Sequence, residues 1–280
     1  GRLDPTRSIP HGVSVITKIG LDHEELLGGS LEAIAREKFA IVDLANFVIV
    51  APLSEEIRGA FEERRRETSA IYTEVPIARH SVERSGRAPT WRLHSKWGDA
   101  ALSLKGARAA ENAQIALHVL DVLGEDVTSS LPRLAQVEWP CRMEGFEIDG
   151  RDVYLSGDHN PQGAESLVEI VREFARPAVH FVVGLGHSKR IDDFLSTIAS
   201  VPGAKLHLTK TTFRGGELDR YGEWKAKAAS MEEDPSISLR RVIREAKPGD
   251  LVVVTGSLYL TGDLRTKIVQ GFFGETKAIK

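Results

Sequence analysis

Residues 22–25, Asp22-His23-Glu24-Glu25, put three carboxylates and an imidazole on consecutive positions, directly after the β-branched run VSVITKIG at 13–20. A run of that kind reads as a buried parallel strand, and open α/β sheets bind their ligands at the C-terminal ends of such strands. Neutral imidazole is a common metal ligand. His23 is therefore either a loop histidine with a structural or exposed role or a ligand to a metal. Lys38 is the second candidate. On a helix opening at Ser30, the residues Leu31, Ile34, Ala35 and Lys38 fall at i, i+3, i+4 and i+7, which puts the lysine on the apolar face with its amine toward the core. Two readings stay open. The amine snorkels to water at the helix C-terminus, where the macrodipole favours a cation, or it is desolvated enough to lose its proton and react, for instance with carbon dioxide to give a metal-binding carbamate.

The elements that must carry these groups alternate along the chain. Strand-like runs occur at 13–20, 47–52 (FVIVAP), 153–157 (VYLSG), 180–186 (HFVVGLG), 205–210 (KLHLTK) and 251–257 (LVVVTGS), with helical segments between them. SLEAIAREK is expected to start at a Ser30 N-cap. PQGAESLVEIVREFA has Pro161 in its first turn and Ala164, Leu167, Val168, Val171 and Phe174 on one stripe. The alternation predicts an α/β protein with a mainly parallel sheet. GEDVTSSLPRLAQ at 124–136 marks a domain boundary, and Asp149-Gly150 between two alternating runs predicts a hairpin. The charge run EERRRE at 62–67 reads as the solvated face of a helix.

Composition narrows the function classes. With 280 residues, 41% hydrophobic and 28% charged, the chain has the apolar mass for two ordinary cores. A net charge of −3 with both signs interspersed points away from nucleic acid and from membrane surfaces, and toward a small-molecule partner. The single cysteine, Cys141, excludes an intrachain disulfide and a Cys-rich zinc site, and favours a reducing, cytoplasmic setting. It reads as a packed residue, with no base nearby to activate it. The apolar stretch FVIVAPL at 47–53 is far too short to span a membrane.

Taken in order, the motifs resemble a family: folylpolyglutamate synthase and dihydrofolate synthase, within the ATP-dependent Mur-type amide ligases. GRLDPT at 1–6 is similar to a glycine-rich GRLDAT segment, and ITKIGLDHEELLGGSLEAIAREK at 16–38 resembles the family's strand, LDH loop and REK helix. LKGARAAENAQIAL at 104–117 is similar to a helix with an adenine-contacting Asn, here Asn112. WPCRMEGF at 139–146 resembles the W-P-G-R segment opening the C-terminal domain, LSGDHNPQGAESL at 155–167 its D-G-A-H-N-P motif, and VVVTGSLYLTGDLR at 252–265 its closing strand and loop. The resemblance implies the remainder of a P-loop-type central ATPase domain over 1–132, followed by a Rossmann-like C-terminal domain over 136–280. It implies that ATP phosphorylates the carboxylate of a folate or dihydropteroate and that L-glutamate attacks the acyl phosphate, with magnesium neutralising charge. By the same resemblance His23 is a magnesium ligand and Lys38 a carbamate that holds a second magnesium. Arg142 reaches the phosphates, and Ser156, His159 and Asn160 lie by the nucleotide. A monomer is implied.

Some positions depart from the family pattern. No G-x-x-x-x-G-K-[ST] occurs, and Gly1 stands where a natural start would have Met. The chain is thus expected to be a truncated piece that is inactive alone, its second domain folding by itself and its first poorly. The family's His-Gln is Arg108-Ala109, the Asp of D-G-A-H-N is Ser156 with Asp158 in the alanine position, W-P-G-R carries Cys141 for glycine, Lys189-Arg190 replaces K-D, and Arg7 replaces Asn. GLGHSKR at 184–190 has the wrong spacing for a phosphate loop. These departures leave a second reading beside the folate ligase, a non-catalytic relative that binds a nucleotide or folate. A nicotinamide-dependent dehydrogenase would need a G-x-G-x-x-G after an early strand, and the chain has none.

Overall fold

The computed structural model describes residues 12–20, 30–44, 47–186, 190–211, 213, 215 and 217–279. They form two compact units. The first comprises residues 1–81, 91–102 and 107–136; the second takes in 82–90, 103–106 and 137–280. The split is therefore not a single cut in the chain. Segment 82–90 joins the second unit through charge: Arg87 pairs with Asp152 at 2.5 Å and with Glu147, and Arg84 pairs with Glu173.

The first unit begins with three parallel strands in the order β1-β2-β3, namely β1 (Val13–Ile16), β2 (Phe47–Val50) and β3 (Ile71–Glu74). Helix α1 (Leu31–Phe39) links β1 to β2 and starts at Ser30, whose side chain accepts the Ala33 N–H. Helix α2 (Glu55–Glu67) contains the EERRRE run, with Arg64–Glu67 and Arg65–Glu62 ion pairs along its wet face. The two helices meet through Phe39 and Phe61, ring centroids 5.6 Å apart, and Phe61 meets Tyr72 edge-on. A second sheet, in the order β4-β5-β6, uses β4 (Arg79–Glu83), β5 (Thr90–Ser95) and β6 (Gly98–Leu102). These three strands carry too few β-branched residues to show in the apolar pattern. Helix α3 (Ala107–Val122) follows.

The second unit is built on seven strands in the order β11-β10-β9-β12-β8-β7-β13. The hairpin β7 (Arg142–Ile148) and β8 (Arg151–Ser156) turns at Asp149-Gly150, both left-handed at φ 46° and 75°, as a two-residue hairpin loop requires. Strands β8, β9 (Val179–Val183), β10 (Ala204–Thr209), β11 (Ser230–Glu232) and β12 (Leu251–Thr255) all run parallel. Every residue of β9 and β12 is buried, which is why they read as unbroken apolar runs. Helices α4 (Pro161–Glu173), α5 (Ile191–Ala199), α6 (Pro235–Glu245) and α7 (Leu258–Val269) cover the faces, and β13 (Thr276–Ile279) closes the edge against β7. The expected stripe on α4, from Ala164 through Leu167, Val168 and Val171 to Phe174, is buried along its whole length. No helix among the described residues is long and apolar enough to cross a membrane.

Candidate functional site

In the second unit, β9 leads outward to β10, whereas β12 leads back through α7 to β13 at the far edge. Their C-terminal ends thus part at a topological switch point, where open sheets of this kind leave a ligand crevice. Three loops are tied together there. Gly256 N–H and Thr255 Oγ1 both donate to Asp158 O, at 2.8 and 3.2 Å, and Gly184 N–H donates to Thr255 O at 3.2 Å. Gly256 has φ 102°, and a Cβ there would lie 2.9 Å from Gly184 O, so only glycine lets the loops approach this closely.

Around Asp158 the structure gathers several of the residues singled out in the sequence. Ser156, fully buried at the end of β8, donates its Oγ–H to Asp158 Oδ2 at 2.5 Å. Arg142 faces Asp158 Oδ1 at 3.8 Å, with its side chain half exposed. The carboxylate two residues beyond Ser156 is thereby brought against it. The two side chains meet because the chain leaves the sheet at Gly157, just past the end of β8. His159 is exposed, its Nδ1 3.0 Å from Gly157 O. Asn160 caps α4: its Oδ1 accepts the Gly163 N–H at 2.8 Å, with Pro161 following in the first turn. The side-chain oxygen of Asn160 is therefore spent on the helix, and what α4 offers the crevice is its positive N-terminal end.

The backbone that presents Arg142 is unusual. Cys141 and Met143 on either side of it are left-handed, at φ 58° and 50°, and the β7–β8 register slips between Arg142 and Glu144. Met143 is the extra residue of a β-bulge. A non-glycine residue in this region costs roughly 1–2 kcal/mol, which explains the glycine that the resemblance places at position 141. The Cys141 thiol is buried, and burial pushes its pKa up, so it is packed rather than reactive. Arg265 grips the Glu144 carboxylate with two N–H donors, at 2.7 and 2.9 Å, an arrangement that neither residue's sequence surroundings signalled.

The remaining candidates are in the first unit. Asn112 lies on the exposed side of α3, opposite the buried Ala110, Gln114, Ile115, Leu117 and His118. Lys38 corrects the sequence reading. It is exposed, and the buried face of α1 is Ile34, Ala35 and Phe39. Helical angle sets the side from which a residue leaves the axis but not whether anything covers it, and in this last turn the ammonium stays in water. His23 and residues 187–189 of GLGHSKR lie outside the described residues. Among the described residues no three His, Cys, Asp or Glu side chains gather as a metal site.

Comparison with known proteins matches this geometry to a class. Residues 141–258 fit the family model described as Mur ligase, glutamate ligase domain. The stretch that carries the switch-point loops is thus similar to the glutamate ligase domain of Mur-type ligases. More particularly, over nearly its whole length the chain is similar to folylpolyglutamate synthases and dihydrofolate synthases. It is 25% identical to the dihydrofolate synthase/folylpolyglutamate synthase of Bacillus subtilis over 96% of its own length and 65% of the relative's. It superposes on Mycobacterium tuberculosis folylpolyglutamate synthase complexed with ADP and AMPPCP with a TM-score of 0.81 at 22% identity, covering 98% of this chain and 66% of that one. On Escherichia coli FolC in complex with DHPP and ADP the TM-score is 0.77 at 24% identity, covering 96% and 64%. The chain thus spans just under two thirds of the length of these relatives.

Proposed function

We propose that this chain serves an ATP-dependent amide ligase that adds L-glutamate to a folate or dihydropteroate through an acyl phosphate. The observation that carries the reading is the Arg142, Ser156 and Asp158 cluster beside the N-terminus of α4, within the stretch that fits a glutamate ligase domain. An exposed guanidinium and a helix N-terminus at one sheet edge suit a phosphate group. Arg142 would bind the nucleotide phosphates, its charge partly balanced by Asp158 until ligand arrives. Ser156 holds that carboxylate in place. His159 and Asn112 would contact the nucleotide.

Magnesium, when bound, would neutralise phosphate charge during transfer. His23 and a carbamylated Lys38 are the residues proposed to hold it. The exposure of Lys38 leaves its amine open to dissolved carbon dioxide. On this reading the lysine changes from cation to anion to serve the metal.

The test is ATP-dependent incorporation of glutamate by the full-length protein, with dihydropteroate and tetrahydrofolate as acceptors. Turnover that is lost in Lys38→Ala, His23→Ala and Arg142→Ala supports the ligase. Nucleotide binding without turnover on either acceptor would instead make the protein a non-catalytic binder, the role that the substitutions at Arg108, Ala109 and Ser156 would suit.

A further inference from the structure

Arg142 is poorly constrained by its own side chain. Its guanidinium is half exposed and, among the described residues, is paired with Asp158 at a distance of 3.8 Å. What fixes it is the backbone from which it springs, where Cys141 next to it is held through both its carbonyl and its amide. On one side Cys141 O accepts the Gly157 N–H at 2.9 Å, joining the turn to the loop after β8. On the other, Glu144 Oε2 accepts the Cys141 N–H at 2.9 Å. The same carboxylate receives Arg265 in a fork, Nε to Oε2 at 2.7 Å and Nη2 to Oε1 at 2.9 Å. One carboxylate therefore ties the left-handed turn at Cys141 to the side of α7.

We infer that Glu144 and Arg265 are positioning residues for Arg142, holding the Cys141–Met143 turn in the shape that aims its guanidinium at the switch-point crevice. Neither touches the ligand in this scheme. Glu144 acts through the Cys141 amide, and Arg265 acts by pinning Glu144. The pairing depends on geometry as well as charge, since a planar fork meets both carboxylate oxygens and an ammonium cannot. The inference rests on the reading of Arg142 as a phosphate-contacting residue.

A double-mutant cycle tests both and separates them. The affinity of the full-length protein for a non-hydrolysable ATP analogue is measured by calorimetry in the wild type, Arg142→Ala, Arg265→Met and the combination. Glutamate-addition kinetics are followed in parallel. Misplacing a positioned group by about 1 Å costs on the order of 10- to 100-fold, so Arg265→Met is expected to weaken affinity within that range while adding no further loss in the Arg142→Ala background. Arg265→Lys is expected to behave like Arg265→Met. Glu144→Gln, which keeps an acceptor for the Cys141 N–H, should show a smaller loss of the same kind. Wild-type affinity in Arg265→Met, full recovery in Arg265→Lys, or losses that multiply in the double variant would each overturn the positioning role. Wild-type affinity in Arg142→Ala would instead overturn the phosphate reading itself, and with it the inference built on it.

Discussion

His180 and His207 stack inside the second unit, ring centroids 5.2 Å apart and planes within 12°, with His180 Nδ1 3.0 Å from His207 Nε2. The partners at either end decide the protons. Asp250 can only accept, so His180 carries its proton on Nε2, 3.3 Å from Asp250 Oδ2. His180 Nδ1 then accepts from His207 Nε2–H, and His207 Nδ1, 2.7 Å from Ser230 Oγ, accepts the serine proton. Every donor in this four-residue chain has an acceptor as long as both rings are neutral.

The neutral pair makes stability depend on pH. Burial, helped by the neighbouring His180, lowers the His207 pKa to about 4, and burial lowers that of His180 against the pull of Asp250. Lys205 and Arg241 oppose the protonated ring at His207, whereas Glu245 favours it. An unfolded histidine titrates near 6.5, so between about pH 6.5 and 4 the unfolded chain takes up a proton that the folded one refuses. Stability is expected to be complete above pH 6.5 and to fall by up to about 3 kcal/mol as pH drops to 4. Urea melts across this range would show the slope in the wild type and a shallower one in His207→Gln; equal slopes would contradict the assignment.

Tyr154 is fully buried against Phe174, ring centroids 4.9 Å apart, and its hydroxyl finds no hydrogen-bond partner among the described residues. Burial also drives its pKa upward. Removing an unsatisfied buried hydroxyl recovers desolvation, so Tyr154→Phe is expected to leave stability unchanged or raise it by about 1 kcal/mol. A thermal melt decides this, and a drop of several degrees would mean that the hydroxyl has a partner in solution.

Cys141 trades packing against backbone strain. Ala at this position keeps the Cβ at φ 58° and loses the thiol, whereas Gly loses both and relieves the turn. Cys141→Gly should accordingly be more stable than Cys141→Ala by about 1 kcal/mol, measured as a difference in denaturant midpoint. The reverse order would show that the left-handed turn carries no strain at this site.

Asn160 separates a structural role from a ligand-binding one. Asn160→Ala removes the cap on Gly163 N–H and should cost about 1 kcal/mol. Asn160→Asp keeps the cap and should hold stability near wild type while placing a negative charge beside the proposed phosphate site. Nucleotide affinity that falls in Asn160→Asp at unchanged melting temperature is the expected result, and unchanged affinity would move the nucleotide away from this helix end.

Much of this architecture could be read from local pattern. The stripe on α4, the Ser30 cap and the Asp149-Gly150 turn rest on neighbours a few positions apart, and those contacts are written in the residues themselves. The buried strands β8, β9, β10 and β12 showed as apolar runs for the same reason. Strands β3 to β6 and β13 did not, since short half-exposed strands with charged residues are stabilised by pairing rather than by a continuous apolar side.

The sequence by itself determined the α/β class, the family resemblance and most of the residues proposed for the site, because motif spacing fixes which groups follow a strand end. Only the tertiary structure decided which of those groups meet. Ser156 touches Asp158 because the chain leaves the sheet at Gly157, and Lys38 faces water although its helical angle matches the apolar stripe. Glu144 finds Arg265 across 121 positions of chain. Periodicity describes one element about its own axis, while such meetings depend on how separate elements pack, and no local repeat encodes that distance.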